Sequence, residues 1–119
     1  MDHDHLIIGQ PTITLSLGSI LPGSQSFPAK HKRRALLRKL PFCCVYVIRN
    51  GDETLYVGMT RVRIDNRLQW HLHNNSLLGQ AIKQARPTSH NWQADIYAMP
   101  DPATARREER AIAKALQSD

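Results

Sequence analysis

The stretch FCCVYVIRNGDETLYVGMT, residues 42–60, contains two β-like runs that are joined by a polar turn. Both runs are rich in β-branched and aromatic residues, which is typical of strands. Asn50-Gly51 lies between them and is a dipeptide that favours tight turns. We therefore predict an antiparallel hairpin with a loop of about five residues. It would carry Tyr46 and Tyr56 on paired strands.

The residues that follow the hairpin predict three helices and one more strand. In RIDNRLQWHLHN, residues 63–74, Ile64, Leu68 and Leu72 recur at the spacing of one helix face. The remaining elements are a helix at 76–85, a strand at 92–99 and a helix through 103–116 that begins after Asp101-Pro102. This order predicts an α+β fold, with a three-stranded antiparallel sheet flanked by helices and a basic N-terminal helix in front of it.

Two segments precede the hairpin. Residues 1–28 are punctuated by glycine and proline, and the alternation in TITLSLG within them fits a strand as well as a partly ordered arm. Residues 29–42 predict a helix and a short linker. The predicted organisation is an N-terminal arm at 1–28, a basic helix and linker at 29–42, and a folded domain at 43–119.

The positive charge of the chain is concentrated in the predicted basic helix. The whole chain has 16 Lys and Arg against 10 Asp and Glu, and a net charge of +6. Residues 29–42 hold no acidic residue, and their basic residues are Lys30, Lys32, Arg33, Arg34, Arg38 and Lys39. We predict that these six side chains bind a nucleic-acid backbone. The alternative is a solvated helix whose charges only keep the protein soluble.

The cysteines and the hydropathy pattern bear on the compartment. Cys43 and Cys44 are adjacent, so they would face opposite sides of a strand, and the chain has no other cysteine. We interpret them as buried thiols in a reducing cytoplasm. No apolar run approaches the length of a membrane span, and the N-terminus does not fit a secretory signal. The expectation is a soluble, cytoplasmic protein with no membrane partner.

Four side chains form a candidate site. Arg67 and His71 are four residues apart and lie beside the apolar stripe of the 63–74 helix, so both would face the edge of the sheet. Taken alone, they fit an arginine at the core edge and a hydrogen-bonded histidine. With Tyr46 and Tyr56 on the neighbouring strands, all four would converge on one shallow pocket. An arginine binds phosphate oxygens, and a phenol or an imidazole moves a proton.

These residues resemble the GIY-YIG nuclease family over residues 43–117. The first motif of the family corresponds to Cys44-Val45-Tyr46 and the second to Tyr56-Val57-Gly58, followed by Arg67 and His71. The resemblance implies a three-stranded antiparallel sheet with flanking helices, in agreement with the order predicted from the residues alone.

By this resemblance the protein would be a metal-dependent endonuclease that hydrolyses phosphodiester bonds in DNA, with RNA left open as a partner. It would use Mg2+ or Mn2+ and act in DNA repair or in a mobile element. The helical periodicity leaves Glu108 and Glu109 open as the metal ligand, whereas the spacing of the family to an apolar pair, here Ala111-Ile112, selects Glu108. The implied catalytic residues are Tyr46 as general base, Tyr56 and His71 as orienting groups that could exchange that role, Arg67 for the phosphoryl charge, and Glu108 for the metal.

Two other functions fit the sequence. The first is a catalytically degraded nucleic-acid-binding module with the same fold. Cys44 stands where the family has glycine, and no asparagine follows the last helix; both features favour this alternative. The second is a small basic protein-interaction domain, which gives no reason for the constellation around Arg67.

Overall fold

The computed structural model describes residues 10–21 and 30–117, with side chains described at 10–21 and 34–116. Helices cover both faces of a four-stranded antiparallel sheet whose strand order is β1-β4-β2-β3. The strands are β1 (Ile13–Ser16), β2 (Cys44–Asn50), β3 (Glu53–Thr60) and β4 (Gln93–Ala98). The α-helices are α1 (Lys30–Arg38), α2 (Ile64–His73), α3 (Leu77–Gln84) and α4 (Pro102–Gln117), and short 3-10 helices lie at Leu17–Ser19 and Thr88–Asn91. The predicted α+β class is confirmed.

The predicted number of strands was wrong. Strand β1 pairs antiparallel with β4, with Ile13 opposite Ile96, and makes the fourth strand of the sheet. The chain after it, at Leu17, Ile20 and Leu21, is buried in the core. Burial of these apolar side chains holds this part of the predicted arm against the sheet. Residues 1–9 and 22–28 of that arm, and residue 29 of the predicted basic helix, lie outside the described residues.

The hairpin between β2 and β3 is tighter than predicted. Asn50 pairs with Glu53, so the turn contains only Gly51 and Asp52. Gly51 has a φ of 62°, a left-handed conformation that glycine adopts at little cost. This conformation is what permits a two-residue turn, where the predicted loop had about five residues.

The sheet separates two hydrophobic cores. Cys44, Tyr46 and Ile48 of β2 pack on one face with the apolar residues of α2 and α3. Val45 and Val47 face the other side, where they pack with Ala105 and Ile112 of α4. The predicted opposite orientation of the two cysteines is confirmed, because Cys43 packs with the α4 core and Cys44 with the α2–α3 core. Burial raises the pKa of the Cys44 thiol to about 12, with a smaller contribution from Cys43.

The helix ends follow the sequence signals. The Thr104 N–H donates to Asp101 Oδ1 at 2.7 Å, which is the predicted N-cap of α4.

Helix α1 packs through Leu37, while Leu40 just after it is also buried. Arg34, Arg38 and Lys39 of the predicted basic surface are exposed; the side chains of Lys30, Lys32 and Arg33 lie outside the described ones. None of the helices described is both long and apolar enough to cross a membrane.

Candidate functional site

The two tyrosines and the histidine meet between β2, β3 and α2. Tyr46 is opposite Gly58 and Ile48 is opposite Tyr56, so both tyrosines project from the same face of the hairpin. Their rings stack with centroids 5.9 Å apart. Tyr46 Oη lies 2.9 Å from His71 Nε2 in a buried hydrogen bond. The structure thus places His71 of α2 beside the two tyrosines, as the helical spacing predicted.

Gly58 makes this approach of the two tyrosines possible. A Cβ at this position would lie 2.7 Å from Tyr46 Oη and 2.7 Å from Tyr56 Cε2, well inside van der Waals contact. The glycine of the YVG tripeptide is thus required because the phenol of the neighbouring strand covers its α-carbon. The sequence marks the glycine, but only the strand register shows what lies over it.

Ser76 holds the other side of the histidine ring. His71 Nδ1 is 2.6 Å from Ser76 Oγ, and Ser76 Oγ also accepts a hydrogen bond from the Gly79 N–H at 3.1 Å. Ser76 is the N-cap of α3, so one hydroxyl both starts that helix and orients the imidazole. A serine before an apolar run signals a helix cap; sequence reasoning missed its second contact because the contact crosses between two helices.

The electrostatic environment keeps both titrating groups neutral at pH 7. His71 is 2% exposed, and its pKa is lowered to about 4, first by burial and then by the positive charge of Arg67. Tyr46 is fully buried, and burial together with the neighbouring Tyr56 raises the pKa of its phenol. Arg67 acts in the opposite direction on the pKa of Tyr46, first through a side-chain hydrogen bond and then through its positive charge, since both favour the phenolate. The site therefore holds a neutral phenol hydrogen-bonded to a neutral imidazole.

Arg67 is the unsatisfied group of this cluster. Its Nε is buried and has no hydrogen-bond partner among the residues that the structure describes. Its guanidinium carbon lies 4.2 Å from the ring centroid of Trp70, one helical turn on. Arg67 also lines a shallow cavity of about 260 Å³ together with Met59, Thr60, Arg61 and Val62. A buried donor without an acceptor is rare in folded proteins, and a bound water or anion is one explanation for it.

Two other partly buried arginines of the fold, Arg49 and Arg63, are held by carboxylates. Arg49 donates to Asp95 on the α4 side of the sheet at 2.7 Å, and Arg63 donates to Asp65 at 3.1 Å. Within the described part of the chain, Arg67 makes no such ion pair. Its guanidinium instead lies against Trp70 and acts on Tyr46, and its Nε–H is the donor left without a partner among the described residues.

Glu108, the predicted metal ligand, lies apart from this cluster. It belongs to α4, which packs on the sheet face opposite Tyr46. There it lines a cavity with Tyr97, Met99, Thr104 and residues of the N-terminal segment. Of the predicted catalytic residues, the structure brings together Tyr46, Tyr56, Arg67 and His71, and it places Glu108 elsewhere.

The predicted metal ligand Glu108 and the cluster around Arg67 line separate cavities. Within residues 10–21 and 34–116, no three His, Cys, Asp or Glu side chains form a group that could hold a metal ion. Mg2+ needs only one or two carboxylates when phosphate and water complete its shell, but the carboxylate must face the phosphate. Glu108 lines a cavity with Tyr97 and Met99, whereas Arg67 lines a different one beside Met59 and Thr60 of β3.

Comparisons with known proteins identify no relative. No family model matches the chain, and no curated protein or solved structure matches it significantly. The resemblance to the GIY-YIG family therefore stays a prediction that rests on the residues of this chain.

Proposed function

We propose that this protein is an endonuclease that hydrolyses phosphodiester bonds in DNA and binds the scissile phosphate at Arg67. The observation that carries the proposal is the buried, unpartnered Nε of Arg67 beside the hydrogen-bonded Tyr46–His71 pair. The cluster combines an anion-binding group with two groups that exchange protons, which are two requirements of phosphodiester hydrolysis.

The phosphate assignment follows from the cost of an unsatisfied donor. Burying an N–H without an acceptor costs about 1–3 kcal/mol, and a phosphate oxygen would remove that cost. Arg61, which is exposed on the same cavity, adds a second positive charge near the entrance. A phosphodiester would thus meet the half-buried Arg67 and the exposed Arg61, as expected of a site that binds a charged strand.

The proton assignment follows from the neutral state of the histidine. A neutral His71 can accept a proton at Nε2, the atom that faces Tyr46 Oη. Tyr56, whose side chain is partly exposed, would orient the attacking water. The water proton would pass to the Tyr46–His71 pair in the tautomer whose Nδ1–H donates to Ser76 Oγ. As the water oxygen bonds to phosphorus, the phosphorus–oxygen bond to the leaving sugar would break, and that oxygen would take up a proton from the pair or from solvent.

Substrate binding would itself make His71 a better proton acceptor. Part of the lowering of the His71 pKa comes from the charge of Arg67. A phosphate on Arg67 would offset that charge, so the pKa of His71 would rise when substrate is bound. The proton acceptor would become more basic only in the presence of the bond to be cleaved.

A requirement for Mg2+ or Mn2+ is a separate proposal, which rests on the family resemblance alone. Glu108 and Glu109 are both partly buried on α4, and burial raises the pKa of Glu109. Comparing Glu108→Gln with Glu109→Gln in the presence of each ion tests it. By the resemblance, Glu108→Gln should lose metal-dependent cleavage and Glu109→Gln should keep most of it; a Glu108→Gln variant that cleaves within about threefold of wild type would remove Glu108 as the metal ligand.

A nucleic-acid-binding module without catalysis is the second candidate. Tyr46 is fully buried with a raised pKa, and Glu108 lies on the other face of the sheet; both observations favour this function. Such a module would keep the phosphate site at Arg67 and would lack turnover.

Plasmid cleavage separates the two candidates. Purified protein is incubated with supercoiled plasmid in Mg2+, in Mn2+ and in EDTA, and DNA binding is measured in parallel. The test variant is Tyr46→Phe, which removes only the hydroxyl, and the matched control is Tyr97→Phe on the opposite sheet face. An endonuclease loses about 100-fold or more in rate in Tyr46→Phe and keeps its rate in the control. Binding without cleavage under every condition would establish the binding module instead.

A further inference from the structure

Trp70 is an exposed aromatic residue placed directly beside the proposed phosphate site. It lies on α2, whose apolar stripe of Ile64, Leu68 and Leu72 is buried against the sheet. Trp70 itself is 45% exposed, whereas Trp92 is 7% exposed and belongs to the core. The indole of Trp70 is thus not required to fill the hydrophobic core, and what distinguishes it from other exposed apolar side chains is its contact with Arg67.

The indole is held in place by its neighbours. The Arg67 guanidinium carbon lies 4.2 Å from its ring centroid, in a cation–π contact. The His71 ring meets it at 5.2 Å with an interplanar angle of 81°. A ring fixed by a cation and by a second ring loses little conformational entropy on binding, which favours a stacking ligand.

Arg67 can contact Trp70 and a phosphate at the same time. A guanidinium stacks through its flat face and donates hydrogen bonds from its edge, so the two contacts do not compete. A phosphate bound at the edge of Arg67 would bring its own nucleotide within reach of the indole. The base of that nucleotide is the apolar, planar group that would cover Trp70.

We propose that Trp70 stacks an unpaired base next to the phosphate bound by Arg67, so that the substrate of this protein is single-stranded DNA or DNA with unpaired nucleotides. This inference rests on the proposed function of the Arg67 cluster. Both faces of a paired base are already covered by its neighbours in the duplex, so only an unpaired or extruded base can stack on a side chain. Intact duplex would reach Arg61 and Arg67 through its phosphates alone.

The test compares two DNA forms in two variants. Fluorescence anisotropy at one salt concentration gives the affinities for a dye-labelled strand of about 20 nucleotides and for its matched duplex, which spans about two helical turns. We expect Trp70→Ala to weaken single-strand binding by about 5- to 100-fold and duplex binding by less than about twofold. Trp70→Phe keeps a smaller ring and should give an intermediate loss, which also guards against misfolding of the alanine variant.

A matched control and a direct signal complete the experiment. Phe42→Ala removes another exposed aromatic residue, which lies outside α2, and should leave both affinities unchanged. Single-stranded DNA should quench the indole fluorescence of the wild type, and that quenching should disappear in Trp70→Phe. Equal losses of affinity for strand and duplex in Trp70→Ala, or no loss for either, would overturn the stacking role. Cleavage of DNA by the wild-type protein tests the proposed function separately. A wild type that neither binds nor cleaves DNA would instead remove the proposed function and this inference with it.

Discussion

Replacing Arg67 by methionine should separate function from stability. The change keeps the aliphatic bulk of the side chain and removes the guanidinium. In the structure the Arg67 Nε is a buried donor with no partner among the described residues, and removing such a group relieves about 1–3 kcal/mol. The lost contact with Trp70 costs about 0.5–1 kcal/mol at a partly exposed site. The free energy of unfolding should therefore stay the same or rise by up to about 2 kcal/mol.

The same substitution should abolish most of the cleavage. Loss of one group that stabilises charge in the transition state costs about 3–4 kcal/mol, which is several hundred-fold in rate. The stability is measured by urea denaturation followed by circular dichroism, and the rate by plasmid cleavage. A residue that only packs at the core edge would instead lose stability and activity together.

Arg63→Met is the matched control on the same helix end. Arg63 donates to Asp65 at 3.1 Å, so its removal leaves a largely buried carboxylate without its partner. This variant should lose about 1–3 kcal/mol of stability and should cleave DNA at the wild-type rate. The reasoning would be refuted if Arg67→Met were destabilised by more than about 1 kcal/mol, or if Arg63→Met lost as much activity as Arg67→Met.

Three further outcomes follow from the geometry of the site. Because the pKa of His71 is about 4 in the folded protein and about 6.5 in the unfolded chain, the unfolded state binds more protons between these values. The contribution of His71 to the free energy of unfolding should therefore be fully present above pH 6.5 and should fall by up to about 3 kcal/mol as the pH drops to 4. The measurement is a pH series of urea denaturation, and the same loss in a His71→Asn variant would contradict this assignment. Gly58→Ala should destabilise the fold by about 1–3 kcal/mol, because its methyl group would overlap the Tyr46 hydroxyl, and an unchanged urea midpoint would show that the two tyrosines can separate freely. The exposed basic residues in and just after α1 are Arg34, Arg38 and Lys39. Replacing all three by glutamine should lower the slope of log affinity against log salt by up to about 3 and should leave turnover at saturating DNA unchanged. An unchanged slope would mean that these charges are only solvated.

Local sequence patterns were sufficient for most of the elements that carry the site. Helix α2 is predictable because Ile64, Leu68 and Leu72 recur on one face, and that periodicity also shows on which flank Arg67 and His71 lie. The hairpin is predictable because two β-rich runs flank a glycine turn. Contacts within one helix or across one turn are thus accessible to reasoning from the sequence alone.

Features that depend on long-range packing were not predicted. Strand β1 pairs with β4, about 80 residues further along the chain. The local alternation allows a strand at β1 but does not predict its partner. The placement of Glu108 depends on which face of the sheet α4 covers, which the periodicity of the helix does not specify. The hydrogen bond between Ser76 and His71 requires α2 and α3 to pack at one particular distance. Each of these features arises from how elements pack together, whereas the sequence signals report each element separately.

The central claim, that Arg67 binds phosphate through a buried donor that is otherwise free, can be tested by NMR on the Arg67 Nε–H group. The resonance is assigned by its loss in Arg67→Met, and the protein is titrated with a short single-stranded oligonucleotide whose linkages resist hydrolysis. A new hydrogen bond to phosphate should shift this Nε–H signal strongly downfield, while the signal of Arg49, already bonded to Asp95, should stay in place. An Arg67 Nε–H signal that does not move at saturating oligonucleotide would contradict the claim.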